Sequence, residues 1–253
     1  MASVPLLRAQ IEARLQNRIP AALSLAPGRE RGVLASAIEG IEIPLSGLTE
    51  ICAPAAVTSG RSSLLQSLMA QVTSQQHCCA LVDASDSFDP ISAAAAGVDL
   101  ERLLWVRCRP AKFAKKGKEI RTELQPLEQA FRAADMILQA GGFLLMAVDL
   151  AGIEEKLLQK IPLTTWFRFA RAVERMPAAL VFLTSSSMAR SCAALTLRLK
   201  MRLPQWKSIT KTVLPHTTLL AGLDIEAEVL RARKPTASTS LFSAQAYSAF
   251  RMA

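Results

Sequence analysis

The sequence predicts an α/β protein with a mostly parallel central sheet and helices on both faces. Two observations lead there. Apolar runs such as "FLLMAVDL" and "AALVFLTSS" are continuous rather than alternating, the mark of strands buried on both faces. These runs also alternate along the chain with helix-patterned stretches, as parallel strands joined by crossover helices require.

The elements follow in order. Residues 4 to 19 place Leu7, Ile11, Leu15 and Ile19 at every fourth position, with Arg8, Glu12, Arg14 and Arg18 between them. That spacing makes an amphipathic helix closed by Pro20. Pro27-Gly28 and the charged Arg29-Glu30-Arg31 mark a boundary. The expected organisation is therefore an N-terminal helix (1–28) for oligomer or partner contact, a core domain (29–230) and a flexible Ala/Ser-rich tail (231–253). Within the core, "GLTEICAP" reads as a strand running into a loop and "SSLLQSLMAQVTS" as a helix. "CCALVDAS" and "LLWVRC" read as strands, and "PLEQAFRAADMILQAGG" as a helix with Gly141-Gly142 at its left-handed cap. "TTWFRFARAVERM" is the helix between the last two apolar strands. "LTLRLKMRL" alternates strictly, with Arg198, Lys200 and Arg202 on its polar side, and reads as a half-exposed edge strand.

Composition removes several classes. In 253 residues the hydrophobic fraction is 51 % and the charged fraction 20 %, so a sizeable core forms and global disorder is excluded. The five cysteines never fall into a CxxC pair and only His77 and His216 accompany them, a poor ligand set for zinc. They read as small buried hydrophobes in a reducing cytoplasm. No signal-peptide pattern opens the chain, and the apolar runs are strand-sized, so no membrane partner is expected. A net charge of +9 favours an acidic partner.

Two segments carry candidate chemistry. "APAAVTSGRSSLL" joins a core strand to a helix, where backbone N–H groups and the helix N-terminus favour phosphate. Its Ser59-Gly60-Arg61-Ser62-Ser63 occupies the place of a Gly-Lys-Ser/Thr phosphate-loop ending. Glycine lets the backbone approach, the cation meets the charge and a hydroxyl ligates magnesium. However, Ala55 stands where the motif has glycine, and Arg61 is a planar fork where lysine is a compact point charge. An ordinary serine-capped turn is the competing reading. Asp149, ending its apolar strand, stands where a magnesium-orienting carboxylate belongs. The second segment, residues 107 to 121, holds Arg107, Arg109, Lys112, Lys115, Lys116, Lys118 and Arg121 against Glu119 alone. It reads as a mobile basic loop, suited to salt-sensitive, sequence-blind contact with DNA phosphates or simply to solvation.

The stretch "CCALVDASDSFDPISAAAAGVDLERLLWVRC", residues 78 to 108, resembles the central segment of bacterial RecA recombinases. It has a strand ending in Asp83-Ala84, then Asp89-Pro90, a small helix, Gly97-Val98-Asp99 and a Leu-Leu strand. The resemblance extends over roughly residues 35 to 205 and is closest to RecA-like accessory proteins of the ImuA type. Those are encoded with a Y-family polymerase relative (ImuB) and an error-prone replicative-type polymerase, and act in damage-induced translesion synthesis. The resemblance implies a RecA-like P-loop fold and a bacterial, nucleoid-associated location. The implied partners are DNA and ImuB-type polymerase subunits, with RecA or self-association as further contacts. It also implies an ATP-magnesium site, at Ser59 to Ser63 with Asp149.

Departures from RecA bear on function. The water-activating glutamate is replaced by Ser85, and serine is no base at neutral pH. The γ-phosphate-sensing Asn-Gln pair is replaced by Thr184-Ser185. Only about ten residues, "SSMARSCAAL", replace the long DNA-binding loop. The expectation is a damage-tolerance accessory protein whose ATP binding and hydrolysis are weak or lost. An active recombinase with a divergent phosphate loop is the alternative, and a protein that caps RecA filaments is a third.

Overall fold

The computed structural model describes residues 32–54, 59–108, 119–208, 218–233 and 239–245. The expected N-terminal helix, the middle of the phosphate loop and Arg109, Lys112, Lys115, Lys116 and Lys118 lie outside the described residues.

A short antiparallel pair, β1 (Val33–Ala35) and β2 (Glu42–Pro44), precedes the main sheet. The sheet's strands are β3 (Gly47–Cys52), β4 (Cys79–Asp83), β5 (Leu103–Arg107), β6 (Leu145–Asp149), β7 (Ala179–Thr184), β8 (Leu195–Ser208), β9 (Thr218–Ala232) and β10 (Thr239–Gln245). They lie in the order β10-β9-β8-β3-β7-β6-β4-β5. From β8 to β5 every pairing is parallel, whereas β9 and β10 add on antiparallel. The helices are α1 (Arg61–Ser74), α2 (Pro90–Ala95), α3 (Glu119–Ala140), α4 (Glu155–Leu158) and α5 (Leu163–Val173). The molecule is thus α/β with a mostly parallel sheet, as expected.

Alternation within each buried strand sorts side chains onto two faces. Val181 and Leu183 of β7 join Leu64, Leu68 and Val72 of α1 on one face. Leu180 and Phe182 join Ala130 and Ala134 of α3 and Trp166 and Phe169 of α5 on the other. Trp166 and Phe169 meet Phe182 with ring centroids 5.0 and 5.5 Å apart. Each such ring removed from water contributes about 1.5–3 kcal/mol. Cys52, Cys79, Cys108 and Cys192 are buried as expected, while Cys78 is exposed. Burial pushes the Cys79 thiol up to about 12 and the Cys52 thiol to about 11, so neither is a nucleophile at neutral pH.

Four expectations need correction. First, β8 is not an edge strand, because it lies between β3 and β9. Its cations face the acids of β9: Arg198 is paired with Glu228 at 3.1 Å and Arg202 with Glu226 at 3.7 Å. Second, the core does not close at residue 230, since β9 runs to Ala232. Third, residues 239–245 of the expected flexible tail form β10 on the sheet. Fourth, α3 begins at Glu119, so Pro126 lies inside it rather than opening it, and Arg121 stands on a helix rather than in a loop. A proline there costs one backbone hydrogen bond, which the apolar face of a 22-residue helix offsets. At the far end Gly141 takes the expected left-handed cap, φ 67°, and its N–H donates to the Ile137 carbonyl at 3.0 Å.

Candidate functional site

The C-terminal ends of β3, β7, β6 and β4 meet at one edge of the sheet, beside the N-terminus of α1. Gly60 caps that helix with φ 73°, a left-handed backbone that glycine adopts freely. A Cβ here would lie 1.9 Å from Cδ1 of Ile225, a fully buried side chain on β9. Two constraints therefore select glycine, and the second is apolar packing rather than a ligand.

Arg61 follows at once, and its orientation is the informative feature. Nη1 donates to the Ala53 carbonyl and to the Thr184 carbonyl, both at 2.7 Å. The guanidinium thus ties the end of β3 to the end of β7. Burial lowers its proton affinity, while nearby Asp149 raises it. The cation expected to face a phosphate is engaged with the protein's own backbone.

Two carboxylates stand on the same edge. Asp83 and Asp149 are direct register neighbours on β4 and β6. Asp83 is fully buried and accepts from the backbone N–H of Ser85 (3.2 Å), Ser87 (3.1 Å) and Phe88 (2.9 Å), which shapes the β4–α2 loop. Asp149 accepts from the Ala151 N–H at 2.9 Å. Burial pushes its carboxyl up, with Asp83 adding to the rise and Arg61 and the Ser87 hydroxyl opposing it. Asp149 and Ser62 share a cavity of about 220 Å³ with Ser87, Phe88 and Asp89. Ser59 is buried, whereas Ser62 is exposed.

The sequence reading passed over Glu50, on the other face of β3. It is fully buried and accepts from the hydroxyls of Thr184 and Ser187, both at 3.1 Å, and from the N–H of Met188 (2.6 Å) and Ala189 (3.2 Å). Burial raises its pKa against the lowering effect of those bonds. A carboxylate inside "GLTEIC", a strand buried at every position, was the available signal.

The positions that the resemblance ties to hydrolysis, and their neighbours, are engaged in internal contacts. Ser85 Oγ accepts from the Gly152 N–H at 3.0 Å, pinning one loop to the next. Asp86 pairs with Arg107 through two contacts, 2.5 and 3.0 Å. Thr184 gives its hydroxyl to Glu50 and its carbonyl to Arg61. Arg107, the first cation of the expected DNA-binding segment, also lies over the Trp105 ring at 4.6 Å.

With this geometry in hand, one comparison applies. Residues 43–115 match the family model described as the MT3502 N-terminal domain. The match covers less than a third of the chain, from β2 through β5 into the basic segment, and includes Glu50, Gly60 to Ser63 and Asp83 but not Asp149. Among the described residues no group of three His, Cys, Asp or Glu side chains could hold a metal, and no helix is long and apolar enough to cross a membrane. Ser62 and Asp149 are oxygen ligands of the kind magnesium takes, but with Arg61 turned onto carbonyls the residues described do not fit a triphosphate.

Proposed function

We propose that the chain is a RecA-like accessory module of DNA-damage tolerance, of the ImuA type, whose nucleotide site has become a structural joint. The single observation that carries this reading is the Arg61 guanidinium bound to the Ala53 and Thr184 carbonyls. A phosphate-loop cation must be available to its ligand, and charge-assisted bonds to two carbonyls at 2.7 Å compete with that role. Ser85, Asp86 and Thr184 support the same reading, each being held in an internal contact where a hydrolysing enzyme needs a base or a sensor.

In this reading the protein works by contact. The basic segment from Arg107 to Arg121 meets DNA phosphates without reading sequence, so affinity falls with salt. The N-terminal helix meets a partner or a second copy, and an ImuB-type polymerase subunit is the expected protein partner. No catalytic step is assigned to any side chain.

The test is a nucleotide titration and an ATPase assay, each with and without single-stranded DNA and at two salt concentrations. The expected result is little or no DNA-stimulated turnover, with DNA binding that survives Arg61→Ala and weakens on charge reversal of Lys115, Lys116 and Lys118. Turnover like that of a working recombinase, abolished together with DNA binding by Arg61→Ala, would establish the active-recombinase alternative instead. RecA binding indifferent to those charge reversals, with no DNA affinity, would establish the filament-capping one.

A further inference from the structure

The β8–β9 ribbon outruns the rest of its sheet. β3 pairs with β8 only from Leu195 to Arg198, and β10 pairs with β9 only from Gly222 to Glu228. Past both limits, β8 continues to Ser208 and β9 returns from Thr218 as two strands alone. We propose that residues 246–253, which follow β10, cover this end of the ribbon. Residues 246–249 extend β10 along the free edge of β9, and Tyr247 and Phe250 shield the apolar side chains there. This goes beyond the reading of the nucleotide site and does not rest on it.

The ribbon end has both an apolar face and an open edge. Trp206 and Leu220 are register partners, so their side chains share one face. They are 62 % and 39 % exposed, although each is a side chain that burial favours. A two-stranded ribbon is marginal by itself in water, and a third strand with an apolar face stabilises it. Among the described residues, Thr218 to Leu220 pair with β8 on one side and with no strand on the other. Their outward N–H and C=O groups are a template for one more strand.

The direction of β10 selects the occupant. It runs antiparallel to β9 and ends at Gln245, opposite Gly222, heading toward the level of Leu220. Continuing that register by two places sets Tyr247 opposite Leu220, roughly 7 Å further on at the rise of a strand. Trp206, Leu220 and Tyr247 then form a cross-strand row, aromatic, aliphatic, aromatic, of the kind that stabilises sheets. The segment "AYSAFRMA" carries Tyr247, Phe250 and Met252 and holds no proline, glycine or acid to oppose pairing. Its short tether gives it an effective concentration on the order of millimolar, which favours it over a partner in trans. Nucleic acid is a poorer occupant, because Arg198 and Arg202 of the ribbon are already paired with Glu228 and Glu226.

The experiment is hydrogen exchange read by mass spectrometry, with iodide quenching of tryptophan fluorescence. It compares the full chain with its Tyr247→Ser, Phe250→Ser double variant. The expected result is that amides of residues 218–221 exchange about tenfold or more faster in the double variant, while those of β6 keep their rates. Iodide should quench the double variant more than the parent, and Trp206→Phe in both should abolish that difference. Equal exchange at 218–221 overturns the proposal, and so does equal quenching. A quenching difference that survives Trp206→Phe also overturns it, since the segment would then shield another tryptophan. Protection that grows with protein concentration, together with dimers in sedimentation velocity, overturns it in favour of a second copy.

Discussion

Glu50, fully buried, and Asp149, half-buried beside a cavity, are two carboxylates on one sheet, separated by β7 and facing opposite sides of it. Burial raises the pKa of both. Their surroundings differ sharply. Glu50 accepts from two hydroxyls and two backbone N–H groups drawn from Thr184 to Ala189. Asp149 takes one backbone N–H and the Ser87 hydroxyl, sits beside Asp83 and Arg61, and borders a cavity. A buried charge whose acceptor capacity is filled holds a loop in place. One that is partly filled and borders open space is the kind that sites are made from. The difference locates the rigid part of this edge at the β7–β8 loop and its adaptable part beneath α1.

The sharpest way to break that comparison is to remove each carboxylate. Glu50→Ala leaves the N–H groups of Met188 and Ala189 and the Thr184 hydroxyl without their acceptor in a buried place. The expected loss is about 3 kcal/mol in urea unfolding. Asp149→Ala removes a carboxylate that burial and Asp83 both disfavour, so its cost should be about 1 kcal/mol or less. Equal losses would erase the distinction.

Next in size is Gly60→Ala. Its Cβ would meet Ile225 at 1.9 Å, and the φ of 73° is unsuited to an L side chain. The variant should lose about 2 kcal/mol. Combining it with Ile225→Ala should recover the packing part while leaving the backbone part, a coupling measurable in a double-mutant cycle. Strictly additive losses would show that β9 does not press on the start of α1.

Arg61→Met is expected to lose about 1–2 kcal/mol, because the Ala53 and Thr184 carbonyls forfeit charge-assisted partners. It should not abolish DNA affinity. Should the variant prove neutral in stability yet lose nucleotide binding, the guanidinium serves a ligand after all.

How much of this was legible varies by element. The parallel core was readable because its central strands are buried on both faces and carry continuous apolar sequence, as "LMAVD" and "ALVFLT" do. The end of β6 at Asp149 and the glycine cap of α3 were readable for the same local reasons. The long ribbon was misread. The alternation of Arg198, Lys200 and Arg202 signals one polar face, but a polar face is not always an open one. Its counterpart, the Asp224, Glu226 and Glu228 alternation on β9, lies some twenty residues on, and only register reveals that Arg198 meets Glu228 and Lys200 meets Glu226. Arg61 illustrates a deeper limit. Its position in a motif was plain, whereas the direction of its guanidinium depends on the Thr184 carbonyl, supplied from 123 residues away.

The smallest effect concerns pH and separates the two carboxylates by a different measure. Both hold a proton more tightly in the folded chain than in the unfolded one. Their contribution to stability is therefore fully present below ordinary carboxylate pKa values and fades as pH rises through the raised folded values. Acidification from neutrality toward the upper edge of the carboxylate range should hold or raise stability, against the usual trend of acid denaturation. Asp149→Asn keeps an oxygen for the Ala151 N–H and removes the charge, so it should gain up to about 1 kcal/mol at pH 7 and flatten its share of the slope. Glu50→Gln also removes the ionisation, but its amide sets two donors among groups that are themselves mostly donors, so any gain in pH independence comes with lost stability. Urea unfolding of the three proteins from pH 5 to pH 8 checks this. Identical slopes in the parent chain and in Asp149→Asn would mean that the carboxyl beneath α1 is solvated like any surface aspartate, and the contrast between the two faces of the sheet would disappear.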